Sequence, residues 1–221
     1  MDRLWIKFLL IAAGIYIVLI GLFNLRPVEG VFNTVVIQVS EAVLSSTLPD
    51  AQIDVVTGKS DEKRRDPNIM QVNFTWTQAQ IDKMTQVALD KKIPNISVPH
   101  RFTKYYIYQF FSIPIILFVA LFLATPIDSI AMKFRRTVIG LMILSVFLWL
   151  KLFILVLFSI SNARIGIYEL RDSTMQFLVS IVSSLTMGVS IVLVILLWGV
   201  LALPKSRLFH TLSRLFQAET K

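Results

Sequence analysis

The sequence contains no cysteine and only two histidines, and both shortages narrow what the chain can do. Without cysteine it can form no disulfide, use no thiol nucleophile and carry no acylated cysteine. His100 and His210 are far apart and fall on opposite sides of the membrane in the topology predicted below, so they cannot form one metal site. The chain also lacks a nucleophile motif, a glycine-rich phosphate loop and paired carboxylates in its apolar segments. We therefore expect a protein that is not an enzyme, with no catalytic residues, no metal and no cofactor.

Charge is also scarce, because charged residues make up 16% of the chain and hydrophobic residues 55%. Soluble domains carry about a quarter charged residues. Four long apolar segments account for the difference, and we predict that they are transmembrane helices at 4–25, 105–127, 137–163 and 173–203. Each is close to or above the roughly 20 residues that cross the hydrocarbon layer as a helix. The composition therefore predicts an integral membrane protein.

The first apolar segment resembles a secretory signal, because Arg3 and Lys7 precede most of its apolar residues. It is long for such a signal and has no small-residue cleavage site before Pro27. We therefore predict that residues 4–25 form an uncleaved signal anchor.

Basic residues are unevenly distributed among the segments outside these four helices. If the N-terminus is cytoplasmic, segments 1–7, 128–136 and 204–221 face the cytoplasm with nine basic and three acidic residues. The long segment 26–104 is almost balanced, with ten basic and nine acidic residues. The positive-inside rule then predicts a cell (inner) membrane protein with both termini cytoplasmic and residues 26–104 extracytoplasmic. The net charge of +8 reflects this topology, and we expect no nucleic-acid partner.

The extracytoplasmic segment 26–104 has the pattern of a small α+β domain. Apolar residues at helical spacing in Val31–Leu48 predict an amphipathic helix. Ile69–Trp76 alternates apolar and polar residues, which predicts a half-buried strand that pairs with Ile53–Thr57. Thr77–Gln80 resembles a capping box and predicts a second helix, followed by an extended lead-in to the next span. The predicted fold class is membrane α-helical, with four transmembrane helices and an α-β-β-α domain inserted between the first two.

Lys151 lies inside the third apolar segment, about three helical turns from its end. A charge at this depth costs several kcal/mol unless it reaches the interface or is paired. The apolar segments contain no acidic residue that could pair with it. Three interpretations remain open: the side chain extends to the outer interface, contacts a lipid head group, or contacts a partner protein. Lys151 is therefore the candidate site for a lipid or partner.

Ser180, Ser184 and Gly188 recur every four residues in the fourth apolar segment. Small residues at this spacing share one helix face and let two helix backbones approach closely. This helix-packing face is expected either to pack within the protein's own bundle or to dock onto another membrane protein.

The C-terminal segment 205–221 predicts an amphipathic helix in the cytoplasmic membrane interface. Its apolar, membrane-interface residues are Leu208, Phe209, Leu212, Leu215 and Phe216.

Residues Tyr105–Arg136 read YYIYQFFSIPIILFVALFLATPIDSIAMKFRR. This segment has an aromatic entry, a proline inside the span, an LATP exit and a basic stop. In these features, and in its layout, the chain resembles small bacterial membrane proteins that accompany exosortases. Exosortases are polytopic cysteine transpeptidases thought to process C-terminal sorting signals. Because this chain has no cysteine, the resemblance implies the associated protein, whose molecular role it does not supply.

The sequence therefore predicts a non-catalytic membrane accessory or scaffold protein that binds or positions another envelope protein. The resemblance implies protein sorting or export as the process. The alternative is a lipid- or small-molecule-binding or transport protein that uses Lys151. The expected partners are the lipid bilayer and either another membrane protein or a second copy of the chain.

Overall fold

The computed structural model describes residues 3–61, 64–91, 97–126, 129–168, 170–185 and 187–202. Within these ranges the chain is mostly helical, with seven α-helices and one small sheet of three strands. The helices are α1 Arg3–Phe23, α2 Arg26–Thr47, α3 Gln78–Asp90, α4 Ile113–Ala124, α5 Ile130–Asn162, α6 Asp172–Ser184 and α7 Met187–Leu201. The strands are β1 Ala51–Asp61, β2 Arg64–Trp76 and β3 Arg101–Tyr106.

Two helices are long and apolar enough to cross a membrane, namely Leu4–Phe23 and Ile130–Asn162. The bent pair formed by α6 and α7 gives a third span if it is counted as one. The second predicted segment is a shorter apolar helix, Tyr108–Ala124, which starts with the π-helical turn Tyr108–Ser112. Two to three spans are thus compatible with a membrane protein, and the number four stays a prediction.

One compact unit of the chain consists of Met1–Glu29, Tyr108–Leu148 and Leu185–Lys221. Within it, α4 packs against both α1 and α7. The side chains of Phe118 and Phe122 on α4 are fully buried, with ring centroids 4.7 Å apart. Because α4 is apolar on all sides, it can serve as the centre of this helical unit.

Two basic residues near the start of α5 bind the C-terminal ends of the neighbouring helices. Lys133 Nζ donates a hydrogen bond to the carbonyl of Leu123 at 2.6 Å, and Arg136 Nη1 donates one to the carbonyl of Leu201 at 2.7 Å. The last carbonyls of a helix have no partner within the helix and carry the negative end of its dipole. The two cations therefore satisfy acceptors at the ends of α4 and α7.

Trp198 joins three helices at the same end of this unit. Its indole Nε1 donates a hydrogen bond to Thr125 Oγ1 at 2.8 Å, just after α4. Its ring stacks on Phe8 near the start of α1, with centroids 5.3 Å apart. The starts of α1 and α5 and the ends of α4 and α7 therefore lie together.

The second compact unit consists of Gly30–Ile107 and Trp149–Ser184. We call residues 30–107 the sheet domain. Its strands are antiparallel in the order β1-β2-β3, with Ala51 paired with Trp76 and Asn73 paired with Phe102. The predicted hairpin is present, but the predicted α-β-β-α order omits β3. The omission has a physical reason, because the aromatic residues of β3 run directly into the apolar segment that follows.

One face of the sheet and one stripe of α2 form the core of the sheet domain. The buried sheet residues include Ile53, Val55, Met70, Val72 and Phe74. The buried stripe of α2 consists of Asn33, Val36, Ser40 and Leu44. Asn33 Nδ2 donates a hydrogen bond to the carbonyl of Pro67 at 2.9 Å, which joins α2 to β2. The domain is therefore built as a helix layer on a sheet layer.

Candidate functional site

The loop between α5 and α6 is attached to the sheet domain by two side-chain hydrogen bonds. The indole Nε1 of Trp76 donates to the carbonyl oxygen of Ile165. The backbone N–H of Asp50 donates to the hydroxyl oxygen of Tyr168 at 3.1 Å. Because Ala51 and Trp76 are register partners, both bonds reach the same end of the β1–β2 hairpin. The loop therefore covers the base of that hairpin.

Along this loop, residues with positive φ angles alternate with residues whose side chains are buried. Arg164, Gly166 and Tyr168 have positive φ angles of 49°, 78° and 49°, whereas Ile165 and Ile167 between them are buried. Residues with side chains in this left-handed region cost of order 1–3 kcal/mol each and persist only where the surroundings enforce them. Here the two buried isoleucines and the two hydrogen bonds supply that enforcement.

A third connection joins β3 to the last turn of α5. The hydroxyl of Tyr105 forms side-chain hydrogen bonds with Thr103 and Ser159. Ser159 lies near the C-terminal end of α5. The sheet domain is thus fixed to the end of α5 and to the loop after it by contacts from all three of its strands or their flanks.

A cavity of about 510 Å³ opens beside this loop. Its lining residues are Ser161, Asn162, Arg164, Leu170, Asp172, Met175 and Val179. The size lies within the ~300–1,000 Å³ typical of small-molecule pockets. Ser161 donates its hydroxyl hydrogen to the carbonyl of Leu157 at 2.9 Å, so its oxygen remains an acceptor. The described residues of the lining therefore combine a cation, an anion, neutral hydrogen-bonding groups and an apolar wall.

Lys151, the candidate lipid or partner site, is 4% exposed on α5. Its side chain is thus covered almost completely by atoms of this chain. It does not belong to the lining of the cavity. Its contact with a lipid or a partner remains a prediction.

Ser180, Ser184 and Gly188, the predicted helix-packing face, are all exposed. The hydroxyls of Ser180 and Ser184 donate to the carbonyls four residues earlier, at 3.1 and 2.9 Å. Ser184 ends α6, whereas Gly188 belongs to α7, so the repeat does not run along one continuous helix. Serine side chains that bond to the backbone and a glycine weaken a helix at such a point.

The tail residues Leu208, Phe209, Leu212, Leu215 and Phe216 lie outside the described residues. Their position in the membrane interface remains a prediction. Among the residues that the structure describes, no group of three or more His, Asp or Glu side chains could hold a metal ion.

Helix α3 of the sheet domain leaves most of its surface uncovered. Ala88 is its one buried residue. Met84 and Val87 lie on the same stripe as Ala88 and are 41% and 38% exposed, and Leu89 is 73% exposed. The capping interaction that starts the helix is present, because the backbone N–H of Thr77 donates to Gln80 Oε1 at 3.2 Å. A helix of 13 residues is marginal in water without packing.

The edge strand β3 exposes aromatic residues on the other face of the sheet. Phe102 and Tyr106 are both exposed, and Lys104 Nζ lies 5.5 Å from the ring centroid of Phe102. Neither this surface nor the strand is predicted from the sequence. The signal that could have identified the strand is the composition of Arg101–Tyr106, in which aromatic and β-branched residues predominate.

Comparison of the chain with protein-family models, curated proteins and solved structures finds no match. The resemblance to exosortase-associated proteins therefore rests on the layout and on Tyr105–Arg136 alone.

Proposed function

We propose that the chain crosses the cell membrane four times, with both termini cytoplasmic and the sheet domain outside. The contacts within each unit support this topology. The first turns of α1 and α5 lie with the ends of α4 and α7, as alternating crossings require. The loop between α5 and α6 bonds to the domain between α1 and α4, as it must if both lie on the outer side.

The length of α5 fits this arrangement. Its 33 residues give a helix of about 50 Å, which exceeds the ~30 Å hydrocarbon layer. Arg136 and Asn162 are separated by about 39 Å along the helix axis, a distance that fits one residue in each head-group region. The basic start of α5 then faces the cytoplasm, in agreement with the positive-inside rule.

On this topology the protein acts as a non-catalytic accessory protein that binds and positions another envelope protein. The exposed apolar stripe of α3 carries the proposal. Met84 and Val87 lie outside the membrane, on a helix whose one buried residue, in the part of the chain that the structure describes, is Ala88. A partner that packs on this stripe removes apolar surface from water and stabilises a helix that is otherwise marginal.

The attachment of the sheet domain explains how a bound partner would be positioned. Trp76, Asp50 and Tyr105 tie the domain to the end of α5 and to the following loop. A partner held by α3 is then held at a defined place above the membrane. Protein sorting or export, the process implied by the resemblance, requires this kind of positioning.

The test is co-purification from native membranes in a mild detergent, with mass spectrometry of everything that accompanies the chain. We expect a stoichiometric envelope protein with the wild-type chain. The double substitution Met84→Gln with Val87→Gln should lose that protein. The matched control is Lys83→Gln with Gln86→Asn, which changes the polar flank of the same helix and should retain it. A chain that purifies alone, or a partner that both variants retain equally, contradicts the proposal.

The alternative function, lipid or small-molecule handling through Lys151, has its own test. Lys151 is nearly fully buried, so a ligand at its ammonium group would have to enter the protein. If the Lys151→Met protein loses bound lipid but keeps the partner, the result supports lipid handling. Loss of the partner supports a role of Lys151 in assembly, and an unchanged protein removes any special role for this residue.

A further inference from the structure

The cavity beside the α5–α6 loop has charged groups of both signs among its lining residues. Arg164 supplies a guanidinium group and Asp172 a carboxylate, and both are exposed. Ser161 and Asn162 add neutral oxygen acceptors. Leu170, Met175 and Val179 form the apolar part. A ligand that satisfies all of these groups is zwitterionic at one end and apolar at the other.

The position of the cavity restricts the ligand further. Ser161 and Asn162 are at the C-terminal end of α5, and Asp172 is at the start of α6. On the proposed topology this is the point where the chain leaves the hydrocarbon layer and enters the outer head-group region. Molecules with a charged end and an apolar end are most abundant there as the phospholipids of the outer leaflet.

The residue types also discriminate among phospholipid head groups. A guanidinium group binds a phosphate with paired hydrogen bonds. A primary ammonium has three donors that the oxygens of Asp172, Asn162 and Ser161 can accept. A choline group has no N–H donor and is typically bound by aromatic side chains, and none of the described residues that line this cavity is aromatic. A glycerol head group has no cation, so its phosphate leaves the carboxylate of Asp172 unpaired and close to another negative charge.

We propose that this cavity binds the head group of a phospholipid with a primary ammonium, of the phosphatidylethanolamine type, from the outer leaflet. Arg164 binds the phosphate, Asp172 binds the ammonium, and an acyl chain lies along Met175 and Val179. The inference rests on the proposed topology but not on the proposed partner. A lipid in this place braces the loop that holds the sheet domain.

The experiment measures which lipids the full chain retains. The purified protein is delipidated, exchanged into an equimolar mixture of ethanolamine, choline and glycerol phospholipids, and analysed by native mass spectrometry. We expect enrichment of the ethanolamine lipid on the wild-type chain. Arg164→Asn and Asp172→Asn should each reduce that enrichment about tenfold or more, as expected for loss of a hydrogen bond to a charged group.

Each variant is chosen to keep the fold. Asparagine tolerates the left-handed backbone of Arg164 and is a good residue at a helix start such as Asp172. Asp172→Asn should also raise retention of the glycerol lipid, because the repulsive carboxylate is gone. Arg171→Gln is the matched control, since it removes a charge from the same loop outside the cavity lining and should leave the enrichment unchanged. If Arg164→Asn does not fold, the result with Asp172→Asn decides.

Several outcomes overturn the lipid site. Equal retention of the three lipids by the wild-type chain is one, and a preference for the glycerol lipid is another. Enrichment that survives both substitutions also contradicts it. Soluble glycerophosphoethanolamine that displaces the lipid at equal concentration would show that the cavity recognises a free compound and not a membrane lipid. If the partner still co-purifies with the chain, each of these results contradicts the lipid site without contradicting the accessory function.

Discussion

The indole of Trp76, at the end of β2, donates a hydrogen bond to the backbone carbonyl of Ile165, in the loop between α5 and α6. This bond connects two parts of the chain that lie 89 residues apart in the sequence. It joins the sheet domain to the helical segments that follow α4. Two residues that share a hydrogen bond must lie on the same side of the membrane, and the proposed topology has both residues on the outer side.

Trp76→Phe removes the donor and leaves the carbonyl of Ile165 without that partner. We expect a loss of about 1–3 kcal/mol in unfolding free energy, measured by thermal unfolding in detergent. The matched control is Trp5→Phe, because the indole N–H of Trp5 has no hydrogen-bond partner in the structure as described. Equal destabilisation by the two substitutions would show that the Trp76 bond contributes little.

Tyr168 should make the protein sensitive to alkaline pH. Burial raises the pKa of its hydroxyl, the hydrogen bond from the Asp50 N–H lowers it, and the Asp50 carboxylate raises it again, with a net shift upward. A raised tyrosine pKa means that the folded state holds the proton more tightly. This stabilisation is complete below the unfolded pKa of about 10 and is lost as pH rises through the folded value.

We therefore expect the melting temperature to fall above about pH 10, and to fall less steeply in Tyr168→Phe. Phenylalanine has no hydroxyl to ionise but keeps the ring in the loop. Parallel melting curves against pH for the two proteins would show that Tyr168 ionises without effect on the fold.

Gly166 should not tolerate a side chain. Its φ angle of 78° lies in the left-handed region, although a Cβ atom there would meet nothing within 4 Å. Gly166→Ala is therefore expected to destabilise the protein by about 1–2 kcal/mol through backbone strain alone. Gly30→Ala, in the helix α2 and equally open, should be neutral or stabilising by up to about 1 kcal/mol. If the Gly166→Ala protein were as stable as the wild type, the backbone of this loop would not be strained at Gly166.

Gly140 tests the packing of α4 against α5. A Cβ atom at this position would clash with the ring of Phe118, which is fully buried and cannot move aside freely. We expect Gly140→Ala to cost about 1–3 kcal/mol through overpacking. Gly199→Ala on α7, where nothing lies within 4 Å, serves as the control. Unfolding in detergent measures both, and equal stabilities would contradict the close contact.

The elements that sequence analysis predicts well are those with a local signal. Met70, Val72 and Phe74 alternate with polar residues, and the structure has β2 there. The strand β3 was not predicted from the sequence. Its partner strand β2, in which Asn73 pairs with Phe102, is distant in sequence, and the aromatic residues of β3 continue into an apolar helix. The break after Ser184 also has only a weak local signal, since serines and a glycine are common in membrane helices.

The candidate site was harder to predict than the fold. In the sequence, the short loop 164–172 shows only two basic and two acidic residues in balance. That Arg164 and Asp172 share a cavity depends on how the loop folds. The loop conformation depends in turn on Trp76 and Asp50, which belong to a different segment. Gly166 was the one local indication of a left-handed backbone.

The most direct test of the topology uses the absence of cysteine from the chain. Single cysteines are introduced at Lys83 in α3, at Arg171 before α6 and at Ser129 before α5, all of which are exposed. Right-side-out and inverted membrane vesicles are then treated with a membrane-impermeant maleimide. We expect Lys83→Cys and Arg171→Cys to react only in right-side-out vesicles, and Ser129→Cys only in inverted ones. Reaction of the first two from opposite sides, or of all three from one side, would contradict the four-span arrangement.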